Sequence, residues 1–197
     1  PTTSINGVFL GPFYYYFNLI PYLISGGDPA ALTYWNLGWY LISAIILLVF
    51  FYKKDKVFSL LLSIIFLMTP AYFYSSRYFW SANLMSYVTI FYFLSVINFL
   101  RKPNLLSAVI VGLISGLSMQ VEAAFGVLFL PFFLIFALAK RVSVKLIGVV
   151  LGSFAVTVLP QLLFELRHDF IMSKTFFSEV LGKSQILGEK LTLAETF

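Results

Sequence analysis

Apolar runs close to 20 residues long, separated by short polar connections, recur along this chain and decide most of what it can fold into. A helix needs roughly 20 residues to cross about 30 Å of hydrocarbon, with a range of about 17–25. Residues 33–52, 57–74, 84–100, 105–121, 123–139 and 146–166 meet that length. The stretch Ile45-Ile46-Leu47-Leu48-Val49-Phe50-Phe51 is apolar on every side, which excludes the alternating strands of a membrane barrel. Only 11% of the chain is charged and 60% is hydrophobic. Soluble domains carry about 25% charged residues, so a water-facing surface cannot be covered here. The expected fold class is all-α, a polytopic transmembrane helix bundle of about six spans with an interfacial helix.

Residues 105–139 would make one helix of about 52 Å, too long for the hydrocarbon core. Arg101-Lys102 and Lys140-Arg141 flank the stretch, so the positive-inside rule places both ends in the cytoplasm and predicts a hairpin with Glu122 at its far turn. Lys53, Lys54, Lys56 and Lys145 fall on the same side, whereas Arg77 and Arg167 fall opposite. Residues 1–32 are then expected as an external segment whose block 13–24 lies along the outer interface. That block is too short to cross unaided, contains Pro21, and carries Tyr14, Tyr15, Tyr16 and Tyr22. The alternative is a strained seventh span. Residues 167–197 are expected as a second external segment. Gly112/Gly116 and Gly148/Gly152 carry the Gly-x-x-x-Gly spacing of close helix packing, read here as contacts inside one bundle. The chain opens on Pro1 and closes in a polar stretch, which suggests a piece of a longer protein.

Soluble-enzyme signatures are absent: there is no Gly-rich phosphate loop, no His-Glu-x-x-His and no Gly-x-Ser-x-Gly. Cysteine is absent, and His168 is the one histidine, which removes thiolate chemistry and multi-histidine metal sites. Net charge is +5, but the basic residues cluster between apolar runs, where membrane orientation accounts for them better than nucleic acid does. What remains is Asp28, Arg77, Glu122, Glu165, Arg167, His168 and Asp169, all expected near the outer surface. Carboxylates there could take a proton from an acceptor hydroxyl, and Arg77, Arg167 or His168 could hold a phosphate leaving group. Glu122, beside Gln120, stands out because a carboxylate between two apolar helices costs free energy unless paired or hydrated. The bland readings are solvated loop ends, Arg77 as an interfacial anchor among aromatic rings, and residues 165–169 as a self-neutralising helix terminus.

Several segments resemble the membrane glycosyltransferases of the C superfamily, which include protein O-mannosyltransferase and aminoarabinose transferase relatives. Gly11-Pro12-Phe13-Tyr14-Tyr15-Tyr16-Phe17 is similar to that family's Pro-x-x-Tyr-Tyr element. Pro70 to Asn83, through Ser75-Ser76-Arg77, is similar to its second external turn. Gly116 to Glu122, with Pro131 beyond, resembles its paired half-length helices, and Phe164-Glu165-Leu166-Arg167-His168-Asp169-Phe170 its outer boundary.

The resemblance implies transfer of a sugar from a polyprenyl-phosphate donor to a lipid, glycan or protein acceptor on the non-cytoplasmic side of a membrane, the plasma membrane by expectation. Membrane lipids are the implied surroundings. In that family the usual catalytic Asp lies upstream of the Pro-Tyr-Tyr element, before the first residue here. Leu10-Gly11 and Ala82-Asn83 depart from the charged residue or His, and from the Pro-Asp, that relatives carry. Glu122 is the candidate catalytic residue. Arg77, Asn83, Gln120, Arg167, His168 and Asp169 are the candidate substrate-binding residues. No metal is assigned; carboxylates could take a divalent cation, but their spacing does not demand one. The rival readings are a transporter or flippase for a lipid-linked or small polar solute, and a non-catalytic scaffold.

Overall fold

The computed structural model describes residues 11–78, 80–171, 173 and 174. Residues 1–10, 172 and 175–197 of the two expected external segments lie outside the described residues. Within the described residues the chain is helical without strands: α1 (Pro12–Ile24), α2 (Ala30–Tyr52), α3 (Lys56–Met68), α4 (Pro70–Ser75), α5 (Ser81–Arg101), α6 (Leu105–Val121), α7 (Ala123–Gly126), α8 (Phe129–Ala139) and α9 (Val144–Arg167). α2, α5 and α9 are long and apolar enough to cross a membrane, and α3, α6 and the Ala123–Ala139 segment are shorter apolar helices. The chain divides into two units, a larger one running to Gln161 and a second beginning at Leu162.

Local chemistry sets the helix ends. Pro12 opens α1 at its first turn, where a missing N–H costs nothing. Gly26 and Gly27, at φ 69° and 98°, turn the chain into α2, and Asp28 Oδ1 accepts from the Ala30 N–H at 2.9 Å. Asp55 caps α3 by accepting from the Phe58 N–H, and Asn104 and Ser107 form a reciprocal capping box at the start of α6.

One of the expected spans, 57–74, is broken at a proline, whereas 123–139 remains a short apolar helical segment. In 57–74, Thr69 precedes Pro70 and is driven to an extended backbone (φ −69°, ψ 113°), which separates α3 from α4. The Tyr40 hydroxyl donates to the Leu67 carbonyl that the break exposes. In 123–139 the interruption is slight: Val127 and Leu128 between α7 and α8 keep helical backbone angles (φ −59° and −80°), and Pro131, inside α8, has no N–H to offer the Val127 carbonyl. The Tyr92 hydroxyl donates to the Phe129 carbonyl beside it. A backbone group left unpaired in hydrocarbon costs several kcal/mol, so the buried Tyr40 hydroxyl makes the break before Pro70 tolerable.

The larger unit has two apolar clusters. One gathers Tyr40, Leu47, Phe66, Leu84 and Tyr87, and the other Tyr92, Phe99, Val111, Phe133 and Val150. α6 meets α9 along a glycine seam. A Cβ on Gly112 would lie 2.7 Å from Ser153 Cβ and closer still to the Val150 carbonyl; one on Gly116 would lie 2.6 Å from Thr157 Cβ. Gly148 and Gly152 do not repeat this, because a Cβ on either meets nothing within 4 Å. The expectation that both glycine pairs pack inside the bundle is therefore corrected for α9: its glycines lie on the face turned away from α6.

Tyr87 is 1% exposed and its hydroxyl has no hydrogen-bond partner among the described residues. Replacing an orphaned polar group with its apolar isostere removes the desolvation cost. Tyr87→Phe is accordingly expected to leave stability unchanged or raise it by about 1 kcal/mol, read as the midpoint of unfolding in mixed micelles. A loss of stability would mean that the hydroxyl has a partner in the membrane.

Candidate functional site

The larger unit has a basic end and a polar end. At the basic end the Arg101 guanidinium lies 5.3 Å from the Phe50 ring and 6.0 Å from Phe51, which brings the close of α5 to the close of α2. Val142, Leu146 and Ile147 pack on the cluster of Phe99, Ala108 and Ala137, so the connection holding Lys140, Arg141 and Lys145 joins them. Lys53, Lys54 and Lys56 follow directly from Phe51 and Tyr52. At the opposite end the α4–α5 turn meets the α6–α7 junction, with the start of α1 held at the end of α6.

The α4–α5 turn is held from two sides. The Asn36 amide of α2, 7% exposed, donates toward the carbonyls of Ser75 (3.0 Å), Ser76 (3.0 Å) and Tyr78 (3.3 Å). Asn83, in the first turn of α5, donates to the Tyr78 carbonyl at 2.8 Å. With its carbonyls tied inward, the turn presents Arg77 outward, exposed, with its guanidinium 5.9 Å from the Phe73 ring.

Glu122 ends α6 with an extended backbone (φ −154°) and precedes α7. Its Oε2 accepts a hydrogen bond of 3.1 Å from the Ser81 hydroxyl, which itself is 2% exposed. α5 has no side-chain cap of its own at this end. A carboxylate beside a helix N-terminus is electrostatically favoured, which offsets part of the cost of half-burying Glu122. Gly126 brings α7 back against the last turn of α6, where a Cβ would come 2.5 Å from the Ser118 carbonyl carbon.

Gln120 has a different role from the one expected of it. It is 4% exposed, its Oε1 accepts from the Phe13 N–H at 2.9 Å, and its Nε2 donates to the Thr157 carbonyl. Its own carbonyl accepts from the Gly11 N–H at 2.8 Å. Gln120 thus ties the start of α1 and the middle of α9 to the end of α6, and its amide is used by the fold. Tyr14, one residue after Phe13, is buried, and that burial, with Tyr15 beside it, pushes its hydroxyl up to about 12.

Arg167, His168 and Asp169 belong to the second unit, taken by itself. Asp169 and Phe170 adopt φ of 54° and 58°, and the Phe170 N–H returns to the Glu165 carbonyl, which closes α9. Glu165 is 8% exposed and accepts from both the N–H (2.9 Å) and the hydroxyl of Ser173. The His168 ring stacks on Phe164 at 4.0 Å, with Nδ1 2.8 Å from the Phe164 carbonyl. Arg167 and Asp169 are exposed.

Of the candidates, Arg77, Asn83 and Glu122 are gathered at one end of the larger unit, with Gln120 behind them as a clamp. Asn36 and Ser81 were missed. Asn36 did carry a signal, an amide inside an apolar run (Trp35-Asn36-Leu37); Ser81 carried none, since serine is unremarkable at a helix start. No group of three or more His, Asp or Glu that could hold a metal occurs among the described residues. Comparison of the chain with protein-family models, with curated proteins and with solved structures gives no match. Chemically, the arrangement offers a half-buried carboxylate engaged with a hydroxyl and an exposed guanidinium on a braced turn.

Proposed function

We propose that the chain belongs to a polytopic membrane glycosyltransferase that takes a sugar from a polyprenyl-phosphate donor on the non-cytoplasmic side and passes it to a lipid, glycan or protein acceptor. The observation that carries the reading is the Ser81–Glu122 contact beside the Arg77 turn, at the end of the larger unit opposite Lys53, Lys54, Lys56, Arg101, Lys140, Arg141 and Lys145. The basic end lies in the cytoplasm by the positive-inside rule, which turns Arg77, Asn83 and Glu122 outward. In this reading α2, α5 and α9 cross the membrane, the shorter segments α3–α4, α6 and α7–α8 complete six crossings, and α1 lies at the outer interface. Glu122 takes the proton of an acceptor hydroxyl or orients it, and Arg77 holds the donor phosphate.

Interrupted helices are also what a transporter uses, with freed carbonyls coordinating an ion. Here the Tyr40 hydroxyl already engages the Leu67 carbonyl at the break before Pro70, which favours the enzyme.

The test is transfer of labelled sugar from polyprenyl-phosphate hexoses and pentoses by right-side-out vesicles containing the full protein. Glu122→Gln is expected to lower transfer at least tenfold at an unchanged protein level, and Arg77→Ala to raise the donor KM. No transfer from any such donor, or full activity in both variants, would end the proposal.

A further inference from the structure

One cavity of about 270 Å³ lies among α1, α2, α5 and α6, open on one side, and its walls expose no polar atom. Phe13 and Phe17 come from α1, Trp39 from α2, Tyr87 and Phe91 from α5, and Ile114 from α6. The walls are braced. Phe17 packs on Trp39 at 5.5 Å, Trp39 on Phe91 at 6.0 Å, and Gln120 ties α1 down through the Phe13 N–H. The cavity is therefore a built feature of the larger unit.

Water is a poor occupant, because a buried water needs two to four polar partners and this wall supplies none. An apolar cavity of about 150 Å³ already takes up small hydrocarbons. A methylene fills about the 30 Å³ that a water takes in the liquid, so this cavity has room for about nine. Around it, α2 and α5 are long apolar helices with most of their length unburied, so what lies at such a wall in a membrane is hydrocarbon. With no polar group to discriminate among chains, mass action gives the site to the most abundant one. We infer that the cavity holds the end of an acyl chain of a bilayer phospholipid, which fills the wedge between α1 and the α2–α5–α6 face. The inference does not depend on the transferase reading.

Trp39 is a reporter already in place. The chain has three tryptophans, and the Trp35→Phe/Trp80→Phe double variant leaves Trp39 alone. Reconstituted in phosphatidylcholine brominated along its chains, this protein is expected to lose at least half of its Trp39 emission relative to the unbrominated lipid. Filling the cavity with Ile114→Phe, or from the α5 wall with Val88→Phe, is expected to restore most of that emission. A Trp80-only protein carrying the same fillers should show unchanged quenching, which guards against global misfolding. Absence of quenching would overturn the inference. So would quenching that survives both fillers, because lipid would then reach Trp39 from outside. Restoration of emission by a few mole per cent of polyprenyl phosphate would also overturn it, assigning the cavity to an isoprenoid chain.

Discussion

Gly116→Leu is expected to destabilise the larger unit by about 3 kcal/mol or to prevent its folding, whereas Gly152→Leu should stay within about 0.5 kcal/mol of the parent. The two glycines sit in identical Gly-x-x-x-Gly patterns and differ only in what faces them. At Gly116 even a single Cβ would come 2.6 Å from Thr157 Cβ and 3.0 Å from the Phe154 carbonyl, both on α9. Helix backbone cannot yield locally, so α6 and α9 must separate. That undoes the contacts of Val111 and Val150, both wholly buried. At Gly152 a Cβ would meet nothing within 4 Å beyond its own helix backbone, and a side chain there extends into open space. Unfolding by a graded detergent titration reads both variants. Equal losses at the two positions would mean that α9 also packs through its glycine face, against another molecule.

That contrast shows what the sequence could and could not convey. Spacing of four identifies a small-residue stripe, but which stripe is covered depends on how α9 is rotated about its axis, and rotation is set by contacts with α6 far away in the chain. Helix positions were more legible, since α6 runs from Leu105 to Val121 as the apolar pattern predicts. The break at Pro70 was not foreseen because hydropathy counts side chains, and the proline acts through a missing N–H and a clash with the backbone before it. Glu122 at a turn and Arg77 on a loop could be read from the sequence as charges among apolar runs. Their grouping needed Ser81 and Asn36, which carry no charge. Arg167, His168 and Asp169 join the site in the sequence reading through sidedness and the family resemblance, and in the structure they lie at the end of α9 in the second unit.

The second large effect is expected at Gln120. Gln120→Leu removes the acceptor of the Phe13 N–H, one of the opening N–H groups of α1 that have no partner within the helix. An unsatisfied buried donor costs about 1–3 kcal/mol, and loss of the bond to the Thr157 carbonyl adds roughly 0.6 kcal/mol, the mean for interhelical side-chain bonds in membrane proteins. The sum is about 2–4 kcal/mol, with faster amide exchange at Phe13 as the local sign. Gln120→Glu is the sharper variant because its outcome depends on pH. A protonated carboxyl can still accept from the Phe13 N–H and donate to the Thr157 carbonyl, whereas the carboxylate cannot donate and pays for burial. The introduced carboxyl therefore has a folded-state value raised above its unfolded value of about 4.3. Between the two values the folded protein binds more protons than the unfolded one, so stability falls as pH rises from about 4.3 and levels off above the raised value. The Gln120→Glu protein should match the parent in acid and fall below the Gln120→Leu protein near neutrality. A flat pH profile would show that this amide is not held between α1 and α9, and the bracing that places Glu122 beside Ser81 would need another source.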